Sequence, residues 1–282
     1  MNTLNCGPHK LDLNNPVVMG ILNVTPDSFS DGGKFNQLDA AIRQAETMVA
    51  EGADIIDIGG ESTRPGAKAV SVQQEIDRVI PLVEKLSREL DVGISVDTNK
   101  AQVMTESASA GAGMINDVMA LQNEGALQAA ASLDSSIAIC LMHMQGQPRT
   151  MQQNPQYDDV VQDIFSFLEQ RVEDCIEAGM SRHQLCIDPG FGFGKTLEQN
   201  LSLLKNLVEF SKMELPLLVG ISRKSMLGTL LGDVPPEQRI DASIAAAVLA
   251  YERGAQILRV HDVRQTVDAL KIASALISRE LN

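Results

Sequence analysis

Seven apolar runs in this chain end at a side chain able to coordinate, donate or accept: VVMGIL at Asn23, GISV at Asp97, MI at Asn116, IAICLM at His143, LCI at Asp188, LPLLVGI at Ser222 with Lys224 behind it, and ILRV at His261. An eighth run, ADIIDIGG, opens into Glu61-Ser62-Thr63-Arg64-Pro65-Gly66. The chemistry these residues offer is of a few kinds. A carboxylate such as Asp97 or Asp188 accepts two parallel N–H bonds from an amidine-like edge, as on a guanine or pterin ring, and the amide of Asn116 both donates and accepts. The amide oxygen of Asn23 suits a hard cation such as Mg²⁺ shared with substrate phosphates. Arg64 presents a planar fork for phosphate or carboxylate. Ser222 and Lys224 open a helix after the seventh run, where an anion or a ring carbonyl can bind. Arg259 and His261 alternate by two, face the same side, and together suit a pyrophosphate leaving group.

Each residue also has a plainer explanation. Asp97, Asn116 or Asp188 alone can be a satisfied buried polar group that anchors a neighbouring loop. Arg64 can be a surface arginine in an ordinary turn, and the loop Asn23–Gly33 a solvated connection. His143, between Met142 and Met144, reads more simply as a packed histidine than as a catalyst. What favours a site is that the residues would meet if the runs were strands of one closed barrel, whose C-terminal strand ends converge on a single face.

The segments between the runs support that arrangement. Leu38, Ala41, Ile42, Ala45, Met48 and Val49 recur at spacings of three and four, and Ser71 with Gln74 forms a capping box ahead of Ile76, Val79, Ile80, Val83 and Leu86. Pro81 should kink that second helix. Further helices are expected at 100–112, 124–133, 157–178, 197–210, 241–253 and 263–281, making eight. Alternation of strand and helix signals a parallel sheet. Polar ends on all eight strands favour a (β/α)8 TIM barrel over a doubly wound open sheet, which concentrates its site at one switch point. Alternating Leu11 and Leu13 before the first run suggest a short N-terminal hairpin covering the barrel floor. With 282 residues and no linker-like segment, residues 1–282 read as a single domain.

Two glycine-rich motifs fail on inspection. In PGFGFGKT the Walker A spacing requires glycine where Pro189 stands, and GxGxxG fails as well. The glycines instead allow close backbone approach, with Phe193 offering an aromatic face or packing in the core. Four histidines without HxH or HExxH make a metal-hydrolase barrel a poor reading. A formal charge of −14 argues against a nucleic-acid or anionic-membrane surface. The four cysteines lack zinc-ligand spacing and read as buried, reduced thiols, and a cytoplasmic enzyme is expected.

The strings VMGILNVTPDSFSDGG, DIIDIGGESTRPGA, ISVDTNK, INDV, CLMHMQGQP, DPGFGFGKT, LLVGISRKS and RVHDV, in this order over about residues 17–270, closely resemble the bacterial dihydropteroate synthase family. The resemblance implies a cytoplasmic, homodimeric transferase of folate biosynthesis and a sulfonamide target. It would join 6-hydroxymethyl-7,8-dihydropterin diphosphate to 4-aminobenzoate with Mg²⁺ as cofactor, and release pyrophosphate. It also implies residue roles. Asp97, Asn116, Asp188 and Lys224 would hold the pterin, with Met142 and Gly220 also among the substrate-binding residues, while Arg259, His261 and Asn23 would bind the diphosphate or its metal. Thr63, Arg64, Pro65, Phe193 and Ser222 would surround aminobenzoate. Asn23, Arg64, Lys224, Arg259 and His261 would form the catalytic set. Asn99 and Met119 depart from the common pattern and bear only on local loop packing. Two rivals remain: a pterin-binding methyltransferase barrel, which has no need of Thr63, Arg64 and Lys224, and a pterin-binding protein that has lost turnover.

Overall fold

The computed structural model describes residues 2–25, 34–62, 70–146, 151–152 and 155–277. Two strands, β1 (Thr3–Cys6) and β2 (His9–Asp12), pair antiparallel as the expected hairpin. Eight more follow: β3 (Val17–Asn23), β4 (Ile55–Gly59), β5 (Gly93–Asp97), β6 (Met114–Asp117), β7 (Ala138–Met142), β8 (Leu185–Asp188), β9 (Leu218–Val219) and β10 (Ile257–Val260). They lie parallel in the order β8-β7-β6-β5-β4-β3-β10-β9. The ring closes where Ile187 bridges Leu217 in parallel register and the Ile187 N–H donates to the Pro216 carbonyl at 2.9 Å. Closure, rather than an open sheet, is therefore the observed solution. The strands are buried on both faces, and every residue of β4 is inaccessible, as parallel strands wrapped by helices require.

Nine α-helices stand among the described residues: α1 (Lys34–Ala50), α2 (Val72–Glu89), α3 (Ala101–Ala110), α4 (Ala126–Ala131), α5 (Val160–Glu177), α6 (Leu197–Lys205), α7 (Ser225–Leu230), α8 (Ile240–Glu252) and α9 (Val263–Ile277). The expected count was eight. The one outside that count is α7, at the helix opening expected after the seventh run, whose six residues are too few to display an apolar period. The segment expected as one helix over 197–210 is instead α6 followed by a 3-10 turn at Leu207–Met213. Ser71 caps α2 as its sequence suggests: its hydroxyl accepts from the Gln74 N–H at 3.2 Å, and the Gln74 side chain accepts from the Ser71 N–H at 3.0 Å. The helix is continuous through Pro81, which lies on its exposed side.

The core has two layers that matter for the site. Outside the strands, α2 turns Ile76, Val79, Leu82, Val83 and Leu86 against the barrel wall. Inside, at the N-terminal end, the hairpin's Leu4, Cys6, Leu11 and Leu13 pack on Val17, Met19, Ile55, Met114, Cys140, Cys186 and Ile257 and close the floor. Gly113 makes this seat possible, because a Cβ there would lie 2.2 Å from the Cys6 carbonyl carbon. With the floor sealed by apolar side chains, the polar strand ends lie at the opposite end. All four cysteines are free and buried, and burial pushes the Cys6 thiol up to about 12 and that of Cys175 up to about 11. They are thiols of the packing, not nucleophiles. Among the described residues no helix is long and apolar enough to cross a membrane.

Candidate active site

Strand register brings the first residues together. Asn23 pairs with Gly59, Gly59 with Asp97, and Asp97 with Asn116, so one row across β3, β4, β5 and β6 carries an amide, a bare backbone, a carboxylate and a second amide at the barrel mouth. Gly59 leaves the Asn23 side chain room, since a Cβ there would lie 3.1 Å from Asn23 Oδ1.

Arg259 spans the interior from β10. Its Nε donates to Asp57 Oδ2 at 2.6 Å and its Nη2 to Asp97 Oδ2 at 2.9 Å. Asp57 is completely buried, accepts the Ser95 hydroxyl at 2.6 Å, and lies 3.4 Å from Asn116 Nδ2. The sequence reading did not single out Asp57. Its signal was there: a carboxylate two residues before Gly59 in a wholly apolar run needs a cation partner, because an unpaired buried charge is not tolerated. Burial pushes Asp97 up to about 7, and neighbouring Asp57 adds to the rise while Arg259 opposes it. Burial works against the Arg259 charge, yet Asp57 and Asp97 outweigh it and hold the guanidinium firmly protonated. One planar cation thus orients two carboxylates and is itself held flat in the cavity.

The other half of the mouth is built on β8 and the loops beyond it. Asp188 is buried; its Oδ1 accepts the Gly190 N–H at 2.7 Å. Burial raises its carboxyl above the usual range, and Lys224 is the foremost influence in the opposite direction. Lys224, the N-cap of α7, donates to the Phe191 carbonyl and sits 4.5 Å from the centre of the Phe193 ring. Its ammonium is pulled down to about 8 by burial, with Asp188 partly restoring it. Gly190 adopts a φ of +69°, and a Cβ there would come within 1.9 Å of the His143 carbonyl oxygen, so the PGFGFGKT loop folds tightly over the strand end as its glycines suggested.

His143 has the packed environment considered for it. Its ring meets Phe167 edge-on at 4.9 Å between centroids, and its Nδ1 lies 3.1 Å from the ammonium of buried Lys195. Burial, with Lys195 adding to it, pushes the imidazole down to about 2, so the ring is neutral. Lys195 also donates to the carbonyls of Gly190 at 2.7 Å and Phe193 at 3.0 Å, pinning the loop that presents Phe193.

His261 and Ser222 meet across β10 and β9: the hydroxyl is 3.0 Å from His261 Nδ1 and accepts the His261 N–H at 3.2 Å. Between Ser222 and Lys224, Arg223 takes a left-handed φ of +57°, a conformation that costs about 1–3 kcal/mol outside glycine. It is held there by Asp262, which receives its Nε at 3.0 Å and Nη2 at 2.5 Å, and by the Ser243 hydroxyl, which accepts its N–H at 2.9 Å. Met142 is buried and clusters with Val118, Met144 and Met151, against which Met119 and Phe193 pack. Gly220 lies beneath Arg259, its missing Cβ 3.7 Å from the Arg259 Cβ. Thr63, Arg64 and Pro65 lie outside the described residues, just beyond Ser62. Asn99 and Met119 keep ordinary loop bonds: Asn123 donates to the Asn99 carbonyl at 3.0 Å, and the Met119 N–H donates to Asp117 at 2.7 Å.

A family described as pterin binding enzyme matches residues 19–261. Over 272 residues the chain is 53% identical to the dihydropteroate synthase of Escherichia coli K12, covering 96% of this chain and 95% of that protein. The chain belongs to the dihydropteroate synthase family. The Yersinia pestis dihydropteroate synthase, solved as a sulfonamide drug complex, is 56% identical and superposes with a TM-score of 0.92 over 98% of this chain and 100% of its own. The Burkholderia cenocepacia dihydropteroate synthase complexed with 7,8-dihydropteroate is 47% identical, with a TM-score of 0.89 over 98% of this chain and 96% of its own. Family membership and the barrel mouth described above rest on the same strand ends.

Proposed function

We propose that this enzyme condenses 6-hydroxymethyl-7,8-dihydropterin diphosphate with 4-aminobenzoate, giving 7,8-dihydropteroate and pyrophosphate. The observation that carries the reading is the ring of Asp97, Asn116, Asp188, Lys224 and Arg259 at one barrel mouth, in a chain related over nearly its whole length to enzymes of that name. Asp188 accepts from the 2-amino and N3–H edge of the pterin, Asn116 and Asp97 complete that edge, and Lys224 donates to the ring. Met142 and Gly220 leave an apolar, open floor for the heterocycle, and Arg259 lies against its face. Phe193 and Ser222, with Thr63, Arg64 and Pro65, receive aminobenzoate.

Mg²⁺ is proposed as the cofactor. Among the described residues no three His, Cys, Asp or Glu side chains group to hold a metal. Asn23 offers a hard amide oxygen at the mouth, which suits a cation carried largely by phosphate and water. When bound there, Mg²⁺ would neutralise charge developing on the departing diphosphate. His261, bonded to Ser222, and the Arg259 guanidinium supply hydrogen-bond donors to the same oxygens, fixed before the reaction begins. Departure of pyrophosphate leaves electron deficiency on the methylene carbon, which the pterin ring spreads and the carboxylates around it stabilise. The aromatic amine is neutral near pH 7 and attacks without a strong base, and neutral, enclosed His143 is not placed to serve as one. A homodimer through the last helices is supported by exposed Leu249 on α8 and Ile272, Leu276 and Ile277 on α9. A cytoplasmic location agrees with four free thiols.

The test is incubation of purified protein with the pterin diphosphate, aminobenzoate and Mg²⁺, following both pyrophosphate and dihydropteroate. Equal release of the two is expected. Pterin binding with neither product would instead identify a non-catalytic binder, and methyl transfer to a corrinoid partner would identify the methyltransferase rival.

A further inference from the structure

The turn after β6 carries a backbone strain that the mechanism above does not use. Ala120 and Leu121 are successive residues with φ of +50° and +60°, a left-handed conformation that residues other than glycine rarely adopt. Such a pair persists only where its surroundings impose it, and two groups do so here. Asp117, fully buried, accepts the Met119 N–H at 2.7 Å on Oδ1 and the Leu121 N–H at 2.8 Å on Oδ2. From α5, Arg171 donates through Nε to the Ala120 carbonyl at 2.8 Å and through Nη2 to the Leu121 carbonyl at 3.4 Å, while its Nη1 pairs with Asp174. Burial pushes the Asp117 carboxyl up to about 6; the Met119 and Leu121 N–H bonds and Arg171 oppose the rise, so it is anionic at neutral pH.

The clamp grips the chain between two residues of the pterin half of the mouth. Asn116 and Asp117 are consecutive in β6 and so face opposite sides of the sheet, Asn116 toward the interior and Asp117 toward the helices. Val118 comes next and packs with buried Met142 and Met144, while Met119 lies against the same cluster. If Ala120 and Leu121 relaxed to negative φ, the turn would pivot and draw Val118 away from Met142. We propose that Arg171, acting with Asp117 on the left-handed pair, is a positioning residue that holds Val118 against Met142 beside Asn116 and so sets the width of the slot that takes the pterin ring. Its hydrogen bonds go to backbone carbonyls of the turn and to Asp174, so it acts through the turn and not on the substrate. The inference rests on the assignment of Asn116 and Met142 to the pterin.

Arg171→Met keeps an apolar stem and removes both donors to the turn. The Kd for the pterin diphosphate with Mg²⁺, measured without aminobenzoate, should rise about 10-fold, while the aminobenzoate KM at saturating pterin diphosphate changes less than about 2-fold. Adding Ala120→Gly supplies a residue that holds the left-handed conformation unaided, so at least about 3-fold of the lost affinity should return; a variant that had only lost packing would not regain it. Arg171→Lys replaces the planar fork by a point charge and should fall between wild type and Arg171→Met, and with Ala120→Gly it carries the same comparison should Arg171→Met fail to fold. Asn116→Ala separates the two levels of the argument: if it leaves the pterin diphosphate Kd untouched, the underlying assignment fails. If Asn116→Ala raises that Kd and the Arg171 variants do not, if they raise the aminobenzoate KM in equal measure, or if Ala120→Gly restores nothing, the positioning role is overturned.

Discussion

Replacing Arg259 by Met should cost the fold far more than a surface ion pair would, and the structure says why. The side chain is only 20% exposed and holds Asp57, fully buried, at 2.6 Å and Asp97 at 2.9 Å. Removing one partner of a buried pair leaves an uncompensated charge, which costs about 3–5 kcal/mol. Asp57 keeps its 2.6 Å bond from Ser95, but a hydroxyl does not replace a cation. Adding Asp57→Asn to Arg259→Met should therefore recover about 1–3 kcal/mol, because the amide still accepts from Ser95 and carries no charge. The pH dependence has a definite sign. Asp97 already stands near 7 from burial with Arg259 opposing, so losing Arg259 raises it further above its unfolded value of about 3.9. A carboxyl whose folded pKa is raised weakens the fold above the unfolded pKa; the deficit of Arg259→Met relative to wild type should be largest at pH 8 and smaller at pH 5. Urea denaturation of wild type, single and double variants at both pH values measures all three numbers. A deficit below about 1 kcal/mol at pH 8, an equal deficit at both pH values, or no recovery on adding Asp57→Asn would refute the reasoning. Synthase turnover should be lost in both variants, since stability returns without the donor.

Lys224 is needed as a cation and burial pulls it down to about 8, so kcat/KM for the pterin diphosphate should fall as pH rises through about 8; Lys224→Arg should move that limb upward, and an unmoved limb would assign it to another group. Gly113→Ala should unseat the hairpin, because the new Cβ meets the Cys6 carbonyl carbon at 2.2 Å; a loss of at least about 1–3 kcal/mol in urea is expected, with specific activity of the folded fraction retained. Chelation should abolish turnover and Mg²⁺ restore it, while Asn23→Ala should raise the Mg²⁺ concentration required; equal Mg²⁺ dependence in the variant would remove Asn23 from the metal site.

What could be read from the chain divides by the range of the interaction responsible. Strand ends were legible because parallel strands buried on both faces write themselves as apolar runs, and a polar residue closing such a run is conspicuous, as at Asn23, Asp97 and Asp188. The capping box of Ser71 and Gln74 is a four-residue motif and was equally visible. Boundaries set by packing were not: α7 has six residues and no room for a helical period, and the turn at Leu207–Met213 continues the apolar spacing of α6 while changing its hydrogen bonding. Two ion networks were invisible for a different reason. Asp57 and Arg259 are 202 positions apart and become partners only when β4 and β10 lie on one closed ring, and Glu61 meets Lys100 only because β4 and β5 are neighbours. A charged residue inside an apolar strand nevertheless announces that a partner must exist. Asp57 could have been marked from the sequence as a residue awaiting a cation; which cation answers it is a property of the closed barrel.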